Sequence, residues 1–279
     1  MKRAPVITLL TDFGTQDYFV AAVKGVILTN NPSASIIDIT HEVPAQDIQA
    51  GAFTLLTCYR DFPSRTIHVA VVDPGVGSTR RPIVIKAGSH YFVGPDNGLF
   101  SYVLDQEPSH KIFHVTASKY FRQPPSPTFH GRDVFAPIAA ALSNGVKPNQ
   151  LGSRITDEVR LAPLSPVKRP DGKLQGRIIQ VDRFGNCITN FTRADRNDSQ
   201  QPALVIKRRV ITTFRQFFAE EQPSQGESAQ DHQALRNDQP RQDELFAIWG
   251  SAGFLEIAIN GGSAATLLRA KRGDAVILQ

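Results

Sequence analysis

Cysteine is scarce. Of 279 residues only Cys58 and Cys187 are cysteines, and they form neither a CxxC pair nor part of a spaced ligand set. That excludes a disulfide scaffold and a zinc ribbon, and it points to a reducing, cytoplasmic setting. Long apolar runs are lacking as well. The longest, such as Val6–Leu10, are strand-sized, well short of the ~18–20 residues that span a bilayer. Asp12 cuts the N-terminal run below the ~7–15 apolar residues of a secretory segment, so a soluble protein without a membrane partner is expected. Nor does one charge sign dominate: 31 Lys plus Arg against 26 Asp plus Glu leave a net +5. Apart from Lys207-Arg208-Arg209 the basic residues are scattered, and no nucleic-acid partner is expected.

What is present suffices for a sizeable core, since 41% of the residues are apolar, in one large or two modest domains. From Val6 the chain alternates β-branched runs with amphipathic segments: a strand at Val6–Leu10, a helix over Asp17–Asn30, a strand at Ile36–Ile39, a helix over Asp47–Tyr59 and a strand at Ile67–Val72. This is the βαβ pattern of a parallel sheet covered by helices. A hairpin follows at 83–93 around Ala87-Gly88-Ser89. Then come a helical stretch at Leu99–Asp105, a strand at Ile112–Val115 and a helix over Arg132–Asn144, closed by Gly145. The proline-rich stretch at 162–172 reads as a boundary. Beyond it, strands are expected at Lys173–Asp182, Cys187–Phe191, Ala203–Ile206, Leu245–Trp249, Phe254–Ile259 and Ala275–Leu278, with no long helix. The expectation is an α/β N-terminal domain over 1–165 with a mainly parallel sheet, and a smaller all-β, barrel-like domain over 173–279. The polar stretch at about 220–244 cannot offset its own ordering entropy by burial and reads as a mobile insertion.

In an open parallel sheet, ligands sit at the carboxyl ends of strands, and three segments place polar residues there. In TDFGTQD (11–17), Asp12 ends a buried strand and needs hydrogen-bond donors, such as the two hydroxyls of a ribose; Asp17 suits a helix start. In VVDPGVGSTRR (71–81), Asp73 closes a strand, Pro74-Gly75 turns the chain, and Arg80 can fold back onto Asp73. An ion pair that merely pins a loop explains the same residues, while a phosphate loop does not, because no Gly-Lys-Ser or Gly-Lys-Thr follows. In PTFHGRDVFAP (127–137), His130 precedes a helix, where the N-terminal dipole favours the neutral imidazole a base requires; Asp133 reads as a cap. His41, His68, His90, His110, His114 and His232 lack such a context and read as structural or surface residues. Asp12, Asp73, His130 and Asp133 could together bind a metal, but no metal-binding His/Asp spacing is present.

In VDRFGNCITNF (181–191) a turn carries Phe184 and Asn186. Phe184 could stack on a flat heterocycle while Asn186 reads its edge, or it could simply pack in a core. Glu256, in GSAGFLEIAINGG (250–262), is an acid in an apolar strand and calls for a cation, either a ligand ammonium or a buried Arg or Lys.

These five segments, in this order, resemble the S-adenosylmethionine hydrolase (hydroxide adenosyltransferase) family, relatives of the fluorinases and chlorinases. The resemblance runs from about Ile7 to the last strand. It implies an N-terminal α/β domain, a C-terminal β-barrel and a homotrimer whose ligand lies between domains of neighbouring subunits. It implies hydrolysis of S-adenosyl-L-methionine to adenosine and L-methionine, with no cofactor or metal. By the same resemblance Asp73, Arg80 and His130 are the water-handling triad and Asp12 holds the ribose hydroxyls. Asp17, Asp182 and Ser251 contact the methionine part, and Glu256 fits the ammonium. Phe184, Asn186 and Gly261 belong to the adenine site, with Phe214 as an aromatic wall. Halogenating relatives carry an aromatic hydroxyl residue at the place of Asp73, which favours water over halide. The rival expectations are a chloride-using adenosyltransferase, a non-catalytic binding protein and a metal-dependent hydrolase.

Overall fold

The structure is a computed structural model that describes residues 4–195, 202–219 and 245–279. The expected insertion at 220–244 lies outside the described residues. The chain forms two compact units, one ending at Pro163 and one starting at Leu164. Among the described residues no helix is long and apolar enough to cross a membrane.

The first unit runs β1 (Val6–Thr11), α1 (Phe19–Asn30), β2 (Ser35–Thr40), α2 (Ile48–Cys58), β3 (Ile67–Val71), β4 (Pro82–Ala87), β5 (His90–Pro95), α3 (Ser101–Gln106), β6 (His110–Val115), α4 (Ala136–Ser143) and β7 (Gly152–Ile155). Its sheet has the order β2-β1-β3-β5-β4-β6-β7. β1 is fully buried beyond Val6 because both sheet faces are covered. Ile7 and Leu9 join Val23 and Ile27 of α1 and Ile138 of α4 in one core. On the opposite face Leu10 lies beside Gly51 of α2. Each fully buried Leu or Ile contributes roughly 1.5–3 kcal/mol, so this central strand is firmly held.

The sheet is mixed, which corrects the expectation of a mainly parallel one. β1 pairs parallel with β2 and β3, and β3 with β5, but β4 is antiparallel to β5 and β6, and β6 to β7. Only Gly88 and Ser89 separate β4 from β5, and so short a link can make only a hairpin, never a parallel crossover.

Two helix starts differ from expectation. Asp17 is exposed, and α1 begins two residues later behind Tyr18, which makes no side-chain capping bond. The helix expected over Arg132–Asn144 is instead a π-helical turn at Gly131–Phe135 followed by α4. Pro137 has no N–H to offer the Asp133 carbonyl, and the Arg122 N–H takes it at 2.9 Å. Asp133 is therefore no cap.

The second unit contains β8 (Val167–Lys168), β9 (Leu174–Val181), β10 (Cys187–Thr192), β11 (Leu204–Ile206), β12 (Arg209–Ile211), β13 (Phe214–Arg215), β14 (Phe246–Trp249), β15 (Phe254–Ala258), α5 (Ala264–Leu268) and β16 (Ala275–Leu278). The strand path is β12-β11-β16-β9-β10-β15-β14-β13, with β8 on β9. Among the described residues this path does not close on itself, so the barrel-like expectation is met in part, by a curled, mainly antiparallel half-barrel sheet. Cys187 pairs with Ile257 on the core face, and Ile188 pairs with Glu256 on the other, as the two-residue strand period requires. Burial pushes the thiols of Cys58 and Cys187 up to about 11, leaving both as unreactive packing groups at neutral pH.

Candidate active site

β1 and β3 are parallel neighbours with Thr11 opposite Val71, so the residues just past each, Asp12 and Asp73, leave the sheet at the same edge. From β1 the chain crosses through α1 to β2 on one side, and from β2 through α2 to β3 on the other. Their shared end is thus a topological switch point, where ligands bind in open α/β sheets.

The loop after β3 folds back on itself. Arg80 Nε donates to Asp73 Oδ1 at 2.9 Å and Nη2 donates to Oδ2. This bidentate pair is almost wholly buried, with side chains 9% and 5% exposed, so it is more than a solvated surface ion pair. Nη2 also donates to His130 Nδ1 at 2.7 Å. Gly77 lets the two loops meet: its φ is +77°, and a Cβ there would sit 2.3 Å from the Pro127 carbonyl oxygen. The His130 loop is fixed from beneath by Asp133, fully buried, which accepts from the Ser126 N–H at 2.8 Å and from Arg132 Nε at 2.7 Å.

Burial lowers the pKa of His130, the Arg80 charge lowers it further, and Asp73 and Asp133 oppose the shift. The direction matches the expectation, with burial the largest cause and the Arg80 guanidinium the next. A guanidinium only donates, so Nδ1 must accept and the neutral ring carries its proton on Nε2. Arg80 Nη1 is buried with no partner among the described residues, and its Cζ lies 5.2 Å from the Phe135 ring centre.

Asp12, Asp73 and His130 line one cavity of about 400 Å³, walled by Phe13, Phe19 and Phe129. The rings of Phe19 and Phe129 meet edge to face at 5.2 Å. Asp12 Oδ2 accepts from the Gln46 N–H at 2.8 Å. Asp17 is not part of this wall. Among the described residues no three His, Cys, Asp or Glu side chains converge as a metal set.

In the second unit, Asp182 builds the turn between β9 and β10. Its Oδ1 accepts from the N–H groups of Phe184 and Asn186 at 2.9 and 2.8 Å, and its Oδ2 accepts from Asn186 Nδ2 at 2.9 Å. Asn186 is buried, whereas Phe184 is 76% exposed, so the core-packing alternative for this ring fails. Glu256 is half-buried and has no ion-pair partner among the described residues. Burial, and then the negative charge of Asp182, raise its pKa. A buried Arg or Lys is therefore not what answers this acid. Ser251 and Gly261 are exposed in loops, and Phe214 packs against this unit's core.

Residues 7–152 match the model of the SAM hydroxide adenosyltransferase N-terminal domain, and residues 176–277 that of the C-terminal domain. The chain belongs to the SAM hydroxide adenosyltransferase family. It is 42% identical to the (R)-S-adenosyl-L-methionine hydrolase of Methanocaldococcus jannaschii over 72% of this chain and 73% of that one. Against the enzyme of the same name from Thermus thermophilus it is 35% identical over 98% of each chain. A crystal structure of an uncharacterized conserved protein from Thermotoga maritima is similar with a TM-score of 0.84 and 34% identity, covering 98% of this chain and 99% of that one.

Within this adenosyltransferase fold some contributors escaped the sequence. Gln46 reaches Asp12 through its backbone, and a backbone N–H has no residue signature. Phe13 and Phe129 adjoin Asp12 and His130 in sequence, and that adjacency was the available signal. Asp133 reads as a cap in the sequence, whereas its carboxylate holds the Ser126 N–H and Arg132, contacts that no local pattern marks.

Proposed function

We propose that the protein hydrolyses S-adenosyl-L-methionine to adenosine and L-methionine by in-line attack of water or hydroxide on ribose C5′. The observation that carries this reading is the hydrogen-bonded cluster Asp73–Arg80–His130 at the cavity shared with Asp12. The new bond joins the water oxygen to C5′ as the C5′–S bond breaks. Its electron pair stays on sulfur, so methionine leaves as a neutral thioether and needs no general acid.

The arrangement divides the work. Arg80, held against Asp73 and His130, supplies the positive charge that favours the developing hydroxide. His130, with Nδ1 already engaged, orients the water by donating from Nε2, which leaves the Asp73 carboxylate to accept the proton. Charge is neutralised as hydroxide meets the sulfonium, which the apolar walls of Phe13, Phe19 and Phe129 favour. The guanidinium already neutralises Asp73, so the cluster works without a metal or cofactor.

Asp12 accepts the ribose hydroxyls through the oxygen that Gln46 leaves free. Phe184 stacks on adenine beside Asn186, Gly261 and Phe214, and Glu256 receives the substrate ammonium, the cation it otherwise lacks. Asp17, Asp182 and Ser251 lie along the methionine part. The protein acts as a homotrimer in the cytoplasm.

Incubation of the purified protein with S-adenosylmethionine, followed by chromatography, should yield equal amounts of adenosine and methionine, unaffected by chelator and without a 5′-chloro product in chloride. Asp73→Ala, Arg80→Ala and His130→Ala should each lose turnover ~10²-fold or more while still binding substrate. Binding without turnover in the wild type would make it a binding protein instead.

A further inference from the structure

Asp12 leaves β1 into a stretch, residues 12–18, with no strand ladder or helix of its own. It is held by the segment after β2. The Gly14 N–H donates to the His41 carbonyl at 2.8 Å, the Val43 N–H to the Thr11 carbonyl at 3.3 Å, and the Gln46 N–H to Asp12 Oδ2 at 2.8 Å.

Side chains reinforce these ties. Thr11 and His41 are buried. The Thr11 hydroxyl oxygen accepts from the Phe13 N–H at 3.2 Å and lies 2.8 Å from His41 Nδ1. Thr11 Oγ1 thus bridges the Phe13 amide and the imidazole, whose other nitrogen is Nε2. That nitrogen sits 3.0 Å from Asp38 Oδ1, off the line of an ideal hydrogen bond, and Lys24 Nζ holds the other Asp38 oxygen at 2.6 Å. The chain Lys24–Asp38–His41–Thr11 thus ends on the Phe13 amide, adjacent to Asp12. It has the residue types of a hydroxyl–imidazole–carboxylate triad, but the hydroxyl is buried and spent on a backbone amide, so it cannot be a nucleophile.

Gln46 adds a second sign of purpose. Its φ is +64°, a left-handed conformation that disfavours any residue with a Cβ. Such strain persists where surrounding structure imposes it, most often at functional sites. Here the strained residue is the one whose N–H reaches Asp12.

We propose that His41 and Gln46 are positioning residues that aim the Asp12 carboxylate at the vicinal hydroxyls of the substrate. The proposal rests on the reading of Asp12 as the ribose acceptor. His41 fixes the backbone from which Asp12 projects, and Gln46 occupies one carboxylate oxygen so that the other faces the cavity. Neither residue touches the reacting atoms, so both should govern affinity for the diol rather than the chemical step.

The test measures KM and kcat for S-adenosylmethionine and its 2′-deoxy analogue in wild type, Asp12→Ala, His41→Leu, His41→Asn, Gln46→Gly and Gln46→Pro. His41→Leu should raise KM about tenfold with kcat within about twofold and flatten the preference for the natural substrate over the analogue. His41→Asn, whose amide oxygen reaches the place of Nδ1, should restore both. Gln46→Gly keeps the N–H that reaches Asp12 and relieves strain, so it should raise the melting temperature with KM and preference near wild type, whereas Gln46→Pro, which has no N–H to give, should raise KM and blunt the preference. If Asp12→Ala abolishes the preference but Gln46→Pro and both His41 variants retain it, the positioning roles are wrong. An equal loss in His41→Asn and His41→Leu would contradict the role of the Thr11 contact. If Asp12→Ala itself keeps the preference, the ribose reading fails and the positioning proposal falls with it.

Discussion

Arg80 Nη2 donates at once to Asp73 Oδ2 and, at 2.7 Å, to His130 Nδ1, so one nitrogen joins a carboxylate after β3 to an imidazole more than fifty residues away. That contact decides which atom of His130 can act. It also makes the cluster sensitive to protonation, because an imidazolium has no lone pair on Nδ1 and would repel the guanidinium.

The consequence is an acid limb. Burial and the Arg80 charge hold the folded-state pKa of His130 below its ordinary 6.5. Above 6.5 the ring is neutral in folded and unfolded chains alike, and its contribution to stability is fully present. As pH falls from 6.5 through the lower folded value, the unfolded chain takes up the proton first and that contribution is lost. Turnover should therefore be level through neutrality and fall only below the usual imidazole range. A limb centred above 6.5 would contradict the Arg80–His130 contact.

A second buried histidine should show in stability without touching activity. His68 is wholly buried, hydrogen-bonded to Thr8 Oγ1 at 2.8 Å, with its pKa driven to about 3 by burial and then by His90. Between 6.5 and about 3 only the unfolded chain protonates this site, a loss on the order of 5 kcal/mol across the window. His68→Gln should flatten the fall of melting temperature between pH 7 and pH 4. Parallel curves for variant and wild type would show that this ring is not what acid attacks.

Gly77 is where the loop carrying Asp73 and Arg80 touches the loop carrying His130. An alanine there would adopt a positive φ and press its Cβ into the Pro127 carbonyl, parting Arg80 from His130. Gly77→Ala should lose ~10²-fold in kcat, the scale expected of a displacement near 1 Å, with circular dichroism unchanged. Full activity would mean that the loops need not meet.

Glu256 offers a trade between folding and binding. Its half-buried carboxylate is raised in pKa by burial and by Asp182, so the charged form opposes folding at neutral pH. Glu256→Gln should raise the melting temperature and also raise KM about tenfold. An unchanged KM would remove Glu256 from the ammonium site.

Much of this was legible in the residues, for identifiable reasons. Asp12 and Asp73 each follow an apolar run, and parallel register turns that one-dimensional coincidence into adjacency, since Thr11 faces Val71. The Gly88-Ser89 link announced a hairpin; that it would make the sheet mixed followed only once β5 had docked parallel on β3, a long-range pairing with no local mark. The π-turn at Gly131–Phe135 hid because a helical period cannot reveal which carbonyl lacks a donor. Gln46 and His41 are tied to the Asp12 segment by a backbone N–H and a buried side-chain contact, neither of which a residue type reveals.

The most direct test is a single-turnover reaction in ¹⁸O-labelled water, with mass spectrometry of the adenosine formed. Water aimed at C5′ by Asp73, Arg80 and His130 places one ¹⁸O in the 5′-hydroxyl, and Arg80→Ala abolishes that product. Adenosine without label, or labelled adenosine formed at the wild-type rate by Arg80→Ala, would contradict it.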